Sequence, residues 1–396
     1  MKVYADNAAT TKISDTAFNA MLPYFKEMYG NPSSLYTLGQ KSQEALCSAR
    51  ETMAKYLNCD MKEITFTSGG SEADNQAILT GAYLGEKQGK KHIISSAFEH
   101  HAVLHTLKKL EKQGFEVTLL PVHEDGFVRP EELKDAIRSD TALVTIMYAN
   151  NEIGTVQPIR ELGAVCREKG VLFHTDAVQA AGHIKIDVKA DNIDMLSMSA
   201  HKFHGPKGVG MLYAKKGINL YTLIEGGAQE RGKRAGTENV PAIMGMAAAF
   251  EESCENLEKN FEYVKGLRDK VAAELSKIPH SKINGDITKG LAGTLNMCFE
   301  GIEGESLLLL LDDRGISASS GSACTSGSLD PSHVLLSLGL PHEVAHGSLR
   351  ISLSEYNNEE DVAHIIKNVP EVVAYLRSMS PVWKDLTEGK KQYVIQ

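Results

Sequence analysis

The sequence predicts an α/β fold in which a mostly parallel sheet packs between helices. Between residues 64 and 213, short apolar segments alternate with amphipathic segments, which is the β-α-β pattern of parallel sheets. Residues 142–147 are apolar at nearly every position, as expected of a strand covered on both faces. A chain of 396 residues also has room for two domains and a large buried core.

The composition is that of a globular protein with neither a membrane nor a nucleic acid as a partner. Hydrophobic residues make up 42% of the chain, and a net charge of −9 argues against binding to a phosphate backbone. The longest apolar run, residues 307–311, is too short to cross a bilayer, and the N-terminus lacks the apolar core of a signal peptide. The six cysteines include no C-x-x-C pair, which argues against a disulfide framework and a zinc site and favours the cytoplasm.

Periodicity predicts the elements in order. The first group is a helix at 43–57, a strand at 64–67, a helix at 75–84, a strand at 92–95, a helix at 99–112, a strand at 115–121, a helix at 129–139, a strand at 142–147, a helix at 159–169, and strands at 171–174 and 193–198. A long helical pattern at 241–278, broken near 255–262, connects this group to the second. The second group is a strand at 293–299, helices at 305–314 and 333–338, a strand at 349–354 and a helix at 359–379. We expect the tail after residue 381 to be a surface extension.

Polar side chains directly follow several of the predicted strands. They are Ser71, Asn151, Asp176, Gln179 and Lys202. In open α/β sheets the ligand lies beyond the carboxyl ends of the strands, so we expect these residues to converge.

Lys202 and Asp176 suggest the chemistry of this site. Lys202 lies among hydroxyl and imidazole groups in the loop 197–208, the surroundings that a Schiff-base lysine needs. A pyridine cofactor also needs an acid at its ring nitrogen, and Asp176 can supply it. The alternatives are a turn lysine without a function and an aspartate that caps a helix.

Two glycine-rich segments are candidates for binding phosphate. The turn at 68–71 joins a strand to a helix and would present backbone N–H groups to an anion, although Ser71 would also suit a helix N-cap. The basic loop 226–239 contains Thr237, whose hydroxyl could bind phosphate; the alternative is a solvated surface loop.

The tandem histidines His100 and His101 allow three interpretations. A metal site is disfavoured because no cysteine or carboxylate cluster completes a ligand set. The imidazole of His100 could stack on a flat cofactor, or it could simply begin a helix.

Cys324 and Arg350 are candidates in the second half of the chain. Residues 316–331 are almost all small or polar and cannot form a core, so we expect Cys324 to be exposed and mobile rather than a buried apolar residue. Arg350 could hold a substrate carboxylate with its fork of N–H donors, or it could lie on a solvent face.

Together, these motifs resemble a known family. In this order and spacing they are similar to the cysteine desulfurases of the NifS/IscS type, which are class V, fold-type-I pyridoxal-phosphate-dependent enzymes. The resemblance extends from residue 4 to about residue 381. The motifs are found at residues 4–11, 30–34, 67–75, 99–100, 150–154, 174–179, 199–208, 234–239 and 320–324.

The resemblance implies an architecture with two domains. A large domain, residues 16–258, would contain a mostly parallel seven-stranded sheet between helices and bind pyridoxal 5′-phosphate. Residues 1–15 and 259–396 would form a smaller α+β domain. A mobile loop at about 317–332 would carry the catalytic cysteine.

The resemblance also implies a role for each candidate residue. The catalytic residues would be Lys202 as the Schiff-base lysine, Cys324 as the nucleophile, and His100, which stacks on the ring. Cofactor binding would involve Gly70, Ser71, His100, Asn151, Asp176, Gln179, Ser199, His201, Lys202 and Thr237, the last supplied by the partner subunit of a homodimer. Asn31 and Arg350 would bind the substrate carboxylate, and no metal is implied.

The implied reaction converts L-cysteine to L-alanine and leaves a persulfide on Cys324. The sulfur would pass to an acceptor such as an iron–sulfur scaffold protein or a tRNA-thiolation enzyme. A selenocysteine lyase and another class V lyase or aminotransferase are alternative enzymes. A scaffold for iron–sulfur assembly without chemistry of its own is the alternative from another class, and Lys202 argues against it.

Overall fold

The computed structural model describes residues 1–320 and 331–395. A seven-stranded sheet lies at its centre, with the strand order β2-β8-β7-β6-β5-β3-β4. These strands are β2 (Ile64–Thr67), β3 (His92–Ser96), β4 (Glu116–Leu120), β5 (Thr141–Thr145), β6 (Leu172–Asp176), β7 (Met195–Ser199) and β8 (Gly210–Ala214). Only β8 runs antiparallel to its neighbours, so the predicted mostly parallel α/β sheet is confirmed.

Helices pack around this sheet, and further helices occur in the later part of the chain. They are α1 (Asp15–Met21), α2 (Pro23–Lys26), α3 (Thr37–Leu57), α4 (Gly70–Glu86), α5 (His101–Glu111), α6 (Pro130–Ala136), α7 (Ile159–Lys169), α8 (Val240–Glu255), α9 (Leu257–Leu275), α10 (Gly304–Asp313), α11 (His333–Ser337), α12 (His342–Ala345), α13 (Glu359–Met379) and α14 (Pro381–Thr387). The bounds of α7 and α13 match the prediction, and the long helical pattern breaks at Asn256, between α8 and α9.

Both faces of the central sheet are buried, which explains its continuously apolar strands. Leu143 and Met195 pack in the same hydrophobic cluster as α4 and α5. Their neighbours Val144 and Leu196 point the other way and pack in the cluster that contains α3, α7 and α8. Because alternate side chains of a strand face opposite sides of the sheet, β5 and β7 each contribute to both clusters.

A second sheet, antiparallel, belongs to a separate hydrophobic cluster. Its order is β12-β10-β9, formed by β9 (Ser281–Ile283), β10 (Thr294–Phe299) and β12 (Ser348–Ser352). It packs with α9, α10 and α13. The start of the chain joins the same cluster, because β1 (Val3–Tyr4) pairs in parallel with β11 (Ile316–Ser317). These two-residue strands were not predicted, since so short a segment has no periodicity.

Helix α4 begins at Gly70, five residues before the predicted start at residue 75. The N-cap is Gly69, whose φ of 156° suits glycine. The carboxylate of Glu72 accepts the backbone N–H of Ser68 at 2.8 Å. The alternative in which Ser71 caps the helix is therefore wrong, and Ser71 lies in the first turn.

The tail after residue 381 is packed against the protein, so the prediction of a surface extension is wrong. The carboxylate of Glu300 accepts the backbone N–H groups of Val394 and Ile395 at 2.9 and 3.0 Å. The ring of Tyr393 stacks on His280 with centroids 3.6 Å apart, and the side chain of Ile395 is buried. No helix in the described part of the chain is long and apolar enough to span a membrane.

The loop 226–239 is not a solvated surface loop, because part of it is anchored in the core. A 3₁₀ turn, Gln229–Gly232, buries the side chain of Glu230. One carboxylate oxygen of Glu230 forms an ion pair with the buried guanidinium of Arg50, and the other accepts the N–H of Phe66 at 2.9 Å. This ion pair connects the loop to α3 and β2.

Replacing Glu230 should therefore destabilise the fold. The Glu230→Gln variant would leave the buried Arg50 guanidinium without a counter-charge, so we expect a loss of about 3 kcal/mol in the free energy of unfolding. Denaturant unfolding of the variant and the wild type measures this loss. Glu225→Gln, a substitution at an exposed position in the same chain segment, is the control and should have little effect. A loss below about 0.5 kcal/mol for Glu230→Gln would show that the ion pair contributes little.

Candidate active site

A cavity of about 320 Å³ lies beyond the carboxyl ends of the central strands. It is lined by Ala8, Ala9, Gly70, Ser71, Asp74, His100, Met147, Ala149, Asn151, Asp176, Val178, Gln179, Ser199, His201, Lys202 and Arg350. The residues that were expected to converge after the strands therefore do so, and Arg350 of β12 joins them from the second sheet.

Three of the predicted site residues are not among those that line the cavity. Asn31 is exposed, and its Oδ1 accepts the N–H of Ser33 at 2.9 Å. Thr237 is also exposed. Cys324 lies outside the described residues.

Lys202 lies at the end of a 3₁₀ turn, Ala200–Lys202, that directly follows β7. Its Nζ donates to the carbonyl oxygens of Ala8 and Ala9 at 2.6 and 2.8 Å. The ring Nε2–H of His183 donates to the Lys202 carbonyl at 2.9 Å and fixes the turn. The amine is therefore directed at the cavity wall and half-buried, unlike that of a solvated turn lysine.

Asp176 is the last residue of β6, and 5% of it is exposed. Its Oδ1 accepts the N–H of Val178 at 2.9 Å in a turn, so it does not cap a helix. Burial raises the pKa of Asp176, while the N–H of Val178 and the charge of Lys202 lower it. A buried carboxyl group on the wall of a cavity is suited to pairing with a cation inside it.

Two further buried acids accompany Asp176, and neither was predicted. Burial raises the pKa of Glu99 to about 8. Burial and the proximity of Asp176 raise the pKa of Asp74 well above its ordinary value. Burial therefore favours the neutral forms of both acids.

His100 is the N-cap of α5, where its Nδ1 accepts the N–H of Ala102 at 3.1 Å. Burial and then the charge of Lys202 lower the pKa of His100 to about 4. The ring is therefore neutral at pH 7, and the Nδ1 contact assigns its proton to Nε2. No cluster of three or more histidine, cysteine or acidic side chains suited to a metal occurs within residues 1–320 and 331–395.

The amino end of α4 lies at one corner of the cavity and is suited to an anion. A Cβ on Gly70 would lie 2.6 Å from Val178 Cγ2, so only glycine fits here without displacing the neighbour. The first-turn N–H groups of a long helix have no intrahelical partners and carry the positive end of its dipole. Ser71 and Ser199 add hydroxyl groups to the cavity wall near this turn.

His201 completes the wall next to Lys202. One of its ring nitrogens, Nδ1, lies 3.1 Å from the hydroxyl of Thr10. Burial, Lys202 and Lys207 lower the pKa of His201 to about 4, so the ring is neutral at pH 7 and acts as a hydrogen-bonding group.

Arg350 is 3% exposed, which excludes the alternative of a solvent face. Its Nη1 donates to the carbonyl of Asn151 at 2.9 Å, and its Nη2 pairs with Asp6 at 2.8 Å. Among the described residues, its Nε–H has no hydrogen-bond partner. A buried guanidinium with an unpaired N–H on a cavity wall can bind a carboxylate.

Comparison with known proteins identifies the family of the chain. A family model described as aminotransferase class-V matches residues 3–365. The chain belongs to this family. It is 53% identical over 394 residues to a cysteine desulfurase IscS of Clostridium botulinum, covering 99% of both chains, and 54% identical over 380 residues to one of Methanosarcina thermophila, covering 96% and 94%.

Solved structures of related proteins have the same fold. A NifS-like protein superposes with a TM-score of 0.89 at 40% identity, covering 95% of this chain and 100% of that one. A structure described as SspA in complex with cysteine superposes with a TM-score of 0.80 at 37% identity, covering 90% and 100%. Within the class-V family, this chain is thus a member of the NifS/IscS-type cysteine desulfurases, and these relatives do not favour the selenocysteine lyase alternative.

One ion pair near Lys202 was given no role in the predictions from the sequence. His204, two residues after Lys202, has its Nε2 3.3 Å from the carboxylate of Glu355, which follows the strand of Arg350. Its other ring nitrogen donates to the carbonyl of Lys12 at 2.9 Å. Burial opposes a charge on His204, yet Glu355 raises its pKa. Burial likewise opposes a charge on Glu355, yet His204 lowers its pKa to about 2.

This ion pair should make stability depend on pH. Because folding raises the pKa of His204, its contribution is complete below about pH 6.5 and is lost as the pH rises through the raised value. Glu355 contributes above about pH 4.5 and loses its contribution as the pH falls toward about 2. We expect His204→Gln to lower the free energy of unfolding by about 1–2 kcal/mol at pH 6 and by much less at pH 9.

Unfolding measured between pH 5 and 9 tests this expectation. The exposed His105 provides the matched control, His105→Gln, which should show no such pH-dependent difference. An equal loss for His204→Gln at every pH would mean that the ion pair does not form.

Proposed function

We propose that this chain converts L-cysteine to L-alanine and takes up the sulfur as a persulfide on Cys324. The observation that carries the proposal is that the amine of Lys202, the buried carboxyl of Asp176 and the guanidinium of Arg350 line one cavity. The chain that forms this cavity matches cysteine desulfurases over nearly its whole length.

The cavity fits pyridoxal 5′-phosphate, the cofactor on which this family depends. Lys202 would hold its aldehyde, and Asp176 its ring nitrogen, while Gln179 and Asn151 flank the ring. The α4 turn with Gly70 and Ser71, together with Ser199 and His201, would hold the phosphate. When bound, the cofactor withdraws negative charge from the α-carbon of an amino acid.

The protein residues would then perform the following steps. Arg350 would hold the substrate carboxylate, with its free Nε–H as the additional donor. Lys202 would remove the α-proton, and the neutral His100 could give up the proton on its Nε2. A thiolate at Cys324 would attack the substrate sulfur, so that an S–S bond forms while the C–S bond breaks. The electron pair of the C–S bond passes to the substrate, whose β-carbon takes up the Nε2 proton of His100 and becomes a methyl group. Lys202 returns a proton to the α-carbon, and the proton of the substrate thiol restores His100, so the reaction requires no external oxidant.

Several further parts of the proposal concern the assembly and the fate of the sulfur. The exposed Thr237 would reach the phosphate site of a partner subunit in a homodimer. Asn31 would contact the substrate carboxylate after a rearrangement of its turn. The sulfur acceptor would be an iron–sulfur scaffold or a tRNA-thiolation enzyme in the cytoplasm.

The division into domains at residues 16–258, with 1–15 and 259–396 forming the second domain, is part of this proposal as well. Two features support it. Val3 and Ala5 share a hydrophobic cluster with residues between 264 and 373, apart from the clusters of the central sheet, although α11 and α12 pack in the central cluster. The break between α8 and α9 lies at Asn256, near the proposed boundary.

The variant Cys324→Ala tests the function. It should bind the cofactor and keep the absorbance change on adding L-cysteine, because Lys202, Asp176 and Arg350 are intact. Persulfide and sulfide formation should fall by at least about 100-fold, because the nucleophile is lost. Mass spectrometry of the protein and a sulfide assay measure the two products.

Cys47→Ala is the matched control, since this half-buried cysteine lies on α3. It should react at the wild-type rate. Undiminished sulfide release by Cys324→Ala would refute the assignment of the nucleophile.

A further inference from the structure

Residues on either side of the segment 321–330 form hydrogen bonds with residues that line the cavity or lie next to its lining. On the amino-terminal side, Ser319 pairs with Arg350 through two backbone hydrogen bonds of 2.6 and 3.2 Å. On the carboxyl-terminal side, Ser332 and His333 contact residues next to the site. Both attachments therefore involve cavity-lining residues or their immediate neighbours.

Ser332 makes the more deeply buried of the carboxyl-terminal contacts. Its hydroxyl donates to Glu152 Oε2, and both side chains are about 5% exposed or less. The same hydroxyl accepts the N–H groups of Val334 and Leu335 at 3.1 and 3.4 Å, so it also caps α11. One oxygen thus fixes both the helix start and its attachment to Glu152.

Glu152 is itself held firmly and is adjacent to Asn151. Its N–H donates to the side chain of Asn150 at 2.8 Å, and its carbonyl accepts from Asn296 at 3.2 Å. The carbonyl of Asn151 accepts from Arg350. The residue that holds Ser332 is therefore covalently next to the residue that holds Arg350, the proposed carboxylate-binding arginine.

His333 provides a parallel contact on the other wall of the cavity. Its Nε2–H donates to the carbonyl of Glu99 at 2.9 Å, and Glu99 precedes His100. In addition, the ring of His333 lies 4.8 Å from that of His101. Residues 332 and 333 together fix the position at which the chain returns to the cavity.

We propose that Ser332, acting through Glu152, is a positioning residue for sulfur transfer to Cys324. The inference rests on the proposed function, because it assumes that Cys324 is the nucleophile. Cys324 lies eight residues before Ser332 and five after Ser319 in the sequence. With about 3.5 Å per residue as the limit, both anchors restrict how far its thiol can lie from the cavity.

Removing one anchor should lower the effective concentration of this thiol at the substrate. A hydrogen bond to a carboxylate in a buried site is strong, so its loss would loosen the start of α11, although His333 still holds it to the carbonyl of Glu99. The entropy cost of closing a loop changes little with loop length. The larger effect therefore comes from the lost orientation of the thiol toward the substrate. We expect the transfer step to slow by about tenfold.

The test uses the full-length holoenzyme with Ser332→Ala and separates two steps. The first is exchange of the α-hydrogen of L-alanine in D₂O, which needs Lys202 and the cofactor but not Cys324. The second is single-turnover formation of the Cys324 persulfide, followed by mass spectrometry. We expect exchange and cofactor content within twofold of wild type, and persulfide formation about tenfold slower.

Three variants complete the design. Ser332→Gly also removes the hydroxyl but is tolerated at a helix N-cap, so it serves if the alanine variant folds poorly. Ser332→Thr restores a hydroxyl and should recover most of the transfer rate. Ser337→Ala is the matched control, because its hydroxyl lies on the same helix but bonds to the carbonyls of Ala97 and His333.

The outcomes separate this inference from the proposed function. If the wild type forms no persulfide on Cys324, the proposed function fails. If the wild type forms it and both Ser332→Ala and Ser332→Gly do so at the same rate, the positioning role is wrong. Equal slowing of exchange and transfer would also overturn it, because that pattern indicates a general structural defect.

Discussion

The attraction between the amine of Lys202 and the carboxyl of Asp176 is the interaction on which the site depends. Both groups are withdrawn from bulk water, where their charges would be screened, and both line the same cavity. Burial disfavours the charged form of Asp176, and Lys202 counteracts this penalty. The protein thereby holds a proton-donating group and an anion at fixed places.

The sheet makes this arrangement possible. The adjacent parallel strands β6 and β7 end in Asp176 and Ser199, so their carboxyl ends meet at one edge. Burial favours the neutral forms of the neighbouring acids Asp74 and Glu99, whereas Lys202 favours the charged form of Asp176. From the second sheet, Arg350 adds a cation that is held by Asp6. The two cations, Lys202 and Arg350, thus come from different sheets of the fold.

Much of the central sheet and of the site could be predicted from the sequence, because polar residues directly follow the apolar segments that predict strands. Asp176 and Lys202 both follow apolar strands, and a parallel sheet brings such residues together. The carbonyl groups of Ala8 and Ala9, by contrast, give no side-chain signal, although they bind Lys202. The contact of Ser332 with Glu152 joins residues 180 positions apart and was equally invisible. The packed tail was missed because its main contacts are backbone N–H groups bound by Glu300.

The central claim is that Lys202 is the amine that holds the cofactor. Borohydride reduction of the cofactor-loaded protein, followed by proteolysis and peptide mass spectrometry, tests it most directly. The account predicts a pyridoxyl group on the peptide that contains Lys202 and on no other lysine. A reduced adduct on Lys207 or another lysine, or no adduct in protein that has bound the cofactor, would contradict it.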